Sequence, residues 1–239
     1  MIQRMRVFAG PNGSGKTSLV DQFIEEKDRL IDPAFHINPD ELNSIDVLDF
    51  DKFGLTVDED EFRDFIFQSP FYRNCGIDVQ DIKIEDNRFN IVNSNSYMGA
   101  MLADYLRHSL IRTKERLFSF ETVFSHPSKI DFLKMAEEHG WAVYLYFVST
   151  QDPEINCERV AERVLRGKHD VPQDKIRERY TKAHDNLYPA LKHCRRAYIF
   201  DNSIKMQLIA EKKPDGSLVL SKECPVPAWF NDCVLSRIE

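Results

Sequence analysis

Five short apolar runs punctuate this 239-residue chain, and helical spacing fills most of the intervals between them. Val7–Ala9, Phe35–Asn38, Leu117–Glu121, Trp141–Val148 and Ala197–Asp201 have the length and apolar content of buried strands. Trp141–Val148 is apolar throughout, as a central parallel strand requires. Leu19, Val20, Phe23 and Ile24 recur at helical spacing in Ser18–Glu26. Tyr97, Met101 and Tyr105 recur at i+4 in Ser96–Lys114, as do Met98, Leu102 and Leu106. Pro127–His139, Pro153–Arg166 and Gln173–Leu187 also read as helices. Lys205–Leu220 reads as a β-hairpin turning at Pro214–Ser217. Strands alternating with helices predict an α/β fold with a parallel sheet.

The pattern fails over residues 43–95, where phenylalanine and acid alternate without a clear period. Asp49, Asp51, Gly54 and Asp60 fall on four positions of an EF-hand loop. Phe53 fills a ligand position, however, and Asp60 stands where a long bidentate glutamate belongs, so no calcium site is read there. The segment is taken as a solvated acidic insert with an aromatic underside. With no internal repeat and no low-complexity linker, residues 1–239 form one domain. Its accessories are this insert, a segment over about 153–187, and a hairpin and tail over 204–239.

The first strand leads into chemistry. Gly10, Gly15, Lys16 and Thr17 fill every fixed place of G-x-x-x-x-G-K-S/T, between a strand and a helix. Gly10, Pro11, Asn12, Gly13, Ser14 and Gly15 can curl so that backbone N–H groups point at a phosphate chain. The helix that carries Ser18 turns its unpaired N–H groups and dipole to the same anion. Lys16 reaches the β- and γ-phosphates and the Thr17 hydroxyl ligates Mg²⁺. The chain is therefore expected to bind a nucleoside triphosphate.

Two further sites sit at strand ends, where open parallel sheets collect ligand chemistry. Asp40 follows Phe35–Asn38 and reads either as a functional carboxylate or as a complement to a helix dipole. Glu121 and Thr122 read either as site residues or as a capped loop. Arg159, Arg163 and Arg166 share one helical face, and Arg177 and Arg179 lie on the next helix. The joint between these helices, Lys168–Pro172, is polar. They read as a lid whose planar guanidinium forks suit phosphate oxygens, or as a salt-bridged surface.

Net charge is −7, which argues against general nucleic-acid affinity. It is unevenly spread: residues 40–86 hold 14 acids against 4 bases, and residues 155–196 hold 11 bases against 6 acids. A basic segment in an acidic chain with a phosphate loop suggests local handling of phosphate. The five cysteines are scattered without a C-x-x-C pair, which fits reduced thiols in the cytoplasm. No apolar run is long enough for a membrane span, and the first strand leaves no room for a signal peptide.

Taken in order, G-P-N-G-S-G-K-T, I-N-P-D-E-L, S-F-E-T-V-F-S-H-P-S-K, E-R-V-A-E-R-V-L-R-G-K-H-D-V-P, I-R-E-R-Y and F-D-N-S resemble the zeta toxin family of P-loop kinases. The resemblance spans roughly Met5–Ser203, apart from the insert. It implies five parallel strands flanked by helices, with an arginine lid. It also implies ATP/Mg²⁺-dependent phosphorylation of a nucleotide sugar such as UDP-N-acetylglucosamine, and a small antitoxin partner. Asp40 falls on the catalytic aspartate that accepts the acceptor's proton. Glu121 and Thr122 fall on the substrate side. Arg163, with Arg179 or Arg177, falls on the phosphate-holding arginines, and Asn202 lies near the adenine. The family's G-G-H reads Gly167-Lys168-His169 here, and the insert lies where the acceptor enters. Two alternatives stay open: the same machinery acting on another small-molecule or nucleic-acid-end hydroxyl, and a nucleotide-gated switch that transfers nothing. No N-K-x-D guanine-reading motif is present.

Overall fold

The computed structural model describes residues 2–25, 30–92, 95–113, 117–167 and 170–238. The expected helix ends at Glu26 and Lys114, residues 93–94 of the acidic insert, and the joint residues Lys168 and His169 lie outside these. The backbone divides into two compact units, residues 1–30 with 121–239, and residues 31–120.

The strands, in chain order, are β1 Arg4–Ala9, β2 His36–Ile37, β3 Val47–Asp49, β4 Ile84–Glu85, β5 Arg88–Asn90, β6 Leu117–Thr122, β7 Ala142–Ser149, β8 Arg196–Asp201, β9 Gln207–Lys212 and β10 Leu218–Leu220. The helices are α1 Lys16–Glu25, α2 Pro39–Leu42, α3 Glu59–Gln68, α4 Tyr72–Cys75, α5 Ser96–Leu110, α6 Ser128–Glu138, α7 Pro153–Leu165, α8 Gln173–Leu191 and α9 Ala228–Cys233. The larger sheet is mainly parallel, with strand order β10-β9-β8-β7-β1-β6-β2. It has seven strands where five were expected. The difference is the C-terminal hairpin: β9 pairs antiparallel with β8, and β10 with β9. The hairpin thus continues the sheet beside β8 and covers N–H and C=O groups that an edge strand leaves open.

In the first unit, β7 runs parallel to both β1 and β8, so it is central and apolar on both faces. Leu145, Phe147 and Val148 are fully buried in it. α8 turns Ile176, Ala183 and Leu187 inward. The C-terminal segment has a definite role. Trp229 of α9 stacks on His184 of α8, with ring centroids 4.9 Å apart, and its Nε1–H donates to Asp201 at 2.8 Å. His184 Nε2 and the Ser149 hydroxyl lie 2.7 Å apart, and burial pushes the imidazole pKa down to about 4.

The second unit gives the aromatic underside of the acidic insert a definite structure. Its own three-stranded sheet has the order β3-β5-β4, and Asp86 and Asn87 turn β4 into β5 with φ of 48° and 58°. Positive φ at both turn positions matches the twist of a two-residue hairpin. Phe50, Phe62 and Phe89 are buried, and Phe62 meets Phe50, Phe89 and Tyr105 edge-on. Each such ring contributes about 1.5–3 kcal/mol by leaving water. The acids of the calcium-like stretch cap turns instead: Asp49 accepts from the Asp51 N–H, and Asp58 from those of Asp60 and Glu61. α2 begins after Asn38, whose side chain accepts from the Asp40 N–H at 2.9 Å. Gly99 of α5 lets α2 come close, because a Cβ there would lie 2.4 Å from the Pro39 carbonyl oxygen.

Candidate functional site

β1 ends at Ala9 and the chain turns at Gly10, where φ is +141° and a Cβ would lie 2.0 Å from the Val148 carbonyl oxygen. The Gly10 N–H donates to the Thr122 carbonyl at 3.2 Å, tying the loop to the end of β6. At Gly15, φ is +104° and a Cβ would meet the Asn202 amide at 2.4 Å. Any other residue would be strained at either place. α1 then starts at Lys16, two residues earlier than its apolar spacing implies, because Gly15 already accepts from the Leu19 N–H.

The loop is held from three directions within the first unit. Asn202 Nδ2 donates to the Ser14 carbonyl at 2.8 Å, from just past β8. Asn156 Nδ2 of α7 donates to the Asn12 carbonyl at 2.6 Å, and its Oδ1 accepts from the Thr150 hydroxyl. Arg179 Nη1 of α8 reaches Asn12 Oδ1 at 3.4 Å. Pro11 supplies a carbonyl that accepts from the Ser14 N–H at 3.3 Å, while the Ser14 hydroxyl oxygen is buried with no partner.

The charged groups of the loop have defined positions. Lys16 Nζ donates to the Gly10 and Pro11 carbonyls at 2.9 and 2.8 Å. The Thr17 hydroxyl donates to Glu121 Oε2 at 2.8 Å, and Glu121 is only 5% exposed. Thr122 is a turn residue as well, its Oγ1 accepting from the Phe124 N–H at 3.2 Å. Ser18 lies exposed in the first turn of α1.

The arginines separate into different duties. Arg159 donates to the Asn202 and Ser203 carbonyls at 2.7 and 3.2 Å, bracing the segment after β8. Arg177 pairs with Glu154 through two bonds of 2.6 and 2.7 Å, which holds the Glu154 carboxyl below its usual range. Arg166 is exposed at the end of α7. Arg163 keeps a buried Nε without a partner. Asp40 belongs to the second unit, exposed in the first turn of α2.

Asn156 escaped the sequence reading, since a lone asparagine on an amphipathic helix gives no signal. It is fully buried and serves both Asn12 and Thr150. Asn156→Ala is expected to cost about 1–3 kcal/mol, because the half-buried Asn12 carbonyl loses its side-chain donor and the Thr150 hydroxyl keeps only the Asp152 carbonyl. Urea unfolding reads this as a lower midpoint.

No family model matches the chain. An uncharacterized curated protein of Haemophilus influenzae is 35% identical over 63 residues, 26% of this chain and 45% of that relative. The chain thus matches less than half the length of the curated relative. Among solved structures, a chain of the AvrRxo1-ORF1:AvrRxo1-ORF2 complex with sulphate ions superposes at TM-score 0.57 and 15% identity. The match covers 93% of this chain and 62% of that one. The same complex with ATP gives 0.57 at 14% identity, over 92% and 61%. The likeness is one of fold. A looser match, TM-score 0.47 at 18% identity, is to the PezAT chromosomal toxin–antitoxin system of Streptococcus pneumoniae.

Proposed function

We propose that this chain is an ATP- and Mg²⁺-dependent phosphotransferase of the zeta toxin type. It would move the γ-phosphate of ATP to a hydroxyl of a nucleotide sugar such as UDP-N-acetylglucosamine. The observation that carries this reading is the loop itself. Backbone turns only glycine permits bring Lys16 and Thr17 to one end of α1, with Glu121 on the Thr17 hydroxyl at 2.8 Å. The fold shared with a complex crystallised with ATP supports the nucleotide.

Thr17 and Glu121 fit Mg²⁺, which prefers oxygen ligands and keeps substrate phosphates and water among them. Among the described residues no group of three or more His, Cys, Asp and Glu side chains could hold a metal ion. When bound, Mg²⁺ supplies charge neutralisation on the β- and γ-oxygens.

The chain's own residues would do the rest. The backbone of Gly10, Pro11, Asn12, Gly13, Ser14 and Gly15 cradles the phosphates. Lys16 leaves the two carbonyls it now bonds and turns to the β- and γ-phosphates. Arg179, already at Asn12, and Arg163 with its unpartnered Nε are assigned to the transferring phosphoryl group. Arg177, held by Glu154, is not. Asn202 is assigned to the adenine side, Asp40 to the acceptor's proton, and Glu121 and Thr122 to the substrate side. We place the protein in the cytoplasm, with its cysteines as thiols. No helix among the described residues is long and apolar enough to cross a membrane. The AvrRxo1-ORF1:AvrRxo1-ORF2 complex pairs two chains, which supports a small antitoxin partner here. Nucleic acid is not assigned, given the net charge of −7.

The test is a panel of UDP-sugars incubated with Mg²⁺–ATP and read by mass spectrometry. A product heavier by one phosphoryl group is expected. ADP released with every acceptor unmodified would favour the nucleotide-gated switch. Glu121→Gln is expected to raise the Mg²⁺ concentration for half-maximal activity about 10-fold or more, as loss of a carboxylate beside a metal ligand does. A Mg²⁺ titration of initial rates checks this.

A further inference from the structure

Away from the loop, the face of the sheet that bears Arg6 holds a cavity with a volume of about 280 Å³. Arg6 lines it together with Phe23, Tyr144, Tyr146, Tyr198 and Phe200. Strand register explains the grouping. Arg6 lies opposite Tyr144 across β1 and β7, and Tyr146 opposite Tyr198 across β7 and β8, so all four share one face. The rings form a continuous stack: Phe8 on Tyr146 at 4.8 Å and 14°, then Tyr146 on Tyr198 at 5.1 Å and 18°.

Arg6 is only 5% exposed, and its Nε and Nη1 are buried without a hydrogen-bond partner. The guanidinium carbon lies 5.4 Å from the Tyr144 ring centre, which attracts the charge but gives the two nitrogens no acceptor. Among the described residues no acidic side chain lines the cavity, and Glu211, which shares the sheet, is paired with Arg196. Leaving a buried donor unmade costs about 1–3 kcal/mol, more for a charged one. Arg6 already shares a side-chain hydrogen bond with Tyr146, so the fold holds a positive charge whose Nε and Nη1 remain unused donors at the wall of an aromatic cavity. Small-molecule sites have this composition, an apolar lining with few convergent polar groups, and start at about 300 Å³.

We propose that this cavity is a second ligand site, taking a small planar aromatic carboxylate of one or two rings. The ring would extend the tyrosine stack, and the carboxylate would accept from Arg6. None of the lining residues belongs to the phosphate loop, although Phe23 lies on α1.

The test is isothermal titration of the full chain with indole-3-carboxylate, indole-3-carboxamide and inorganic phosphate, with and without Mg²⁺–ATP analogue. The carboxylate is expected to bind one per chain, with affinity unchanged by the analogue. The neutral amide and phosphate alone should each bind at least about 10-fold more weakly, the loss expected when a charged hydrogen bond or the ring contacts are removed. Arg6→Met should lower carboxylate affinity by a similar factor while keeping Mg²⁺–ATP binding. Tyr198→Leu, which retains Arg6, should also weaken it, and carries the test if Arg6→Met does not fold. Equal affinity for acid and amide, unchanged affinity in both variants, or no binding by the folded wild type would overturn the proposal.

Discussion

Replacing Asp40 with alanine is expected to lower kcat by about 10²–10⁴-fold, the loss that follows removal of a general base. The structure makes this substitution informative because Asp40 has little else to do. It is exposed in the first turn of a four-residue helix, and the Asn38 side chain, not its own, caps that helix. Its carboxylate complements the helix dipole, worth about 0.3–1 kcal/mol at an exposed position. Stability should therefore change by less than about 1 kcal/mol, and ATP affinity should stay near wild type. A variant that turns over at the wild-type rate would take the proton-accepting role away from Asp40.

Gly10→Ala is expected to be the most destabilising single substitution in the loop, by about 3–5 kcal/mol. Two independent effects combine there. The backbone φ of +141° is one that L side chains rarely adopt, which costs about 1–3 kcal/mol. The new Cβ would also stand 2.0 Å from the Val148 carbonyl oxygen and 3.1 Å from the Ser14 hydroxyl. Val148 is fully buried in the central strand β7, so its carbonyl has little freedom to withdraw. Gly140 is the control. Its φ is +84° and a Cβ there meets nothing within 4 Å, so Gly140→Ala should cost only the left-handed penalty, about 1–2 kcal/mol. Urea unfolding of both variants separates the cases. Equal midpoints would mean the strand end yields to the loop, contrary to the packing described.

The parts of this molecule that could be read from sequence are those where one residue type meets a backbone demand. Gly10 and Gly15 occupy positive φ against neighbouring atoms, and Lys16 and Thr17 follow at the only spacing that puts them on the same helix end. Trp141–Val148 was legible because a strand with parallel partners on both sides has no polar face to show. The insert was not legible, for a physical reason. β3, β4 and β5 are two or three residues long, too short for any alternation to register, and their core is Phe50 and Phe62 meeting Tyr105 of α5, with Phe89 against Phe62. The hairpin was visible in its turn residues, but nothing local says that β9 will pair with β8. Arg177 and Arg179 looked equivalent in sequence. Their difference arises from Glu154, 23 residues before Arg177, which engages one and leaves the other beside Asn12.

The proposed activity requires that the turn between β1 and α1 grip a triphosphate. The direct measurement is a ¹⁵N–¹H NMR titration of the labelled chain with a Mg²⁺ complex of a non-hydrolysable ATP analogue. The amide resonances of Gly13, Ser14, Gly15, Lys16 and Thr17 are expected to move furthest and to saturate at one nucleotide per chain. If those amides stayed in place while the analogue bound elsewhere, or if no analogue bound at all, the account would be contradicted.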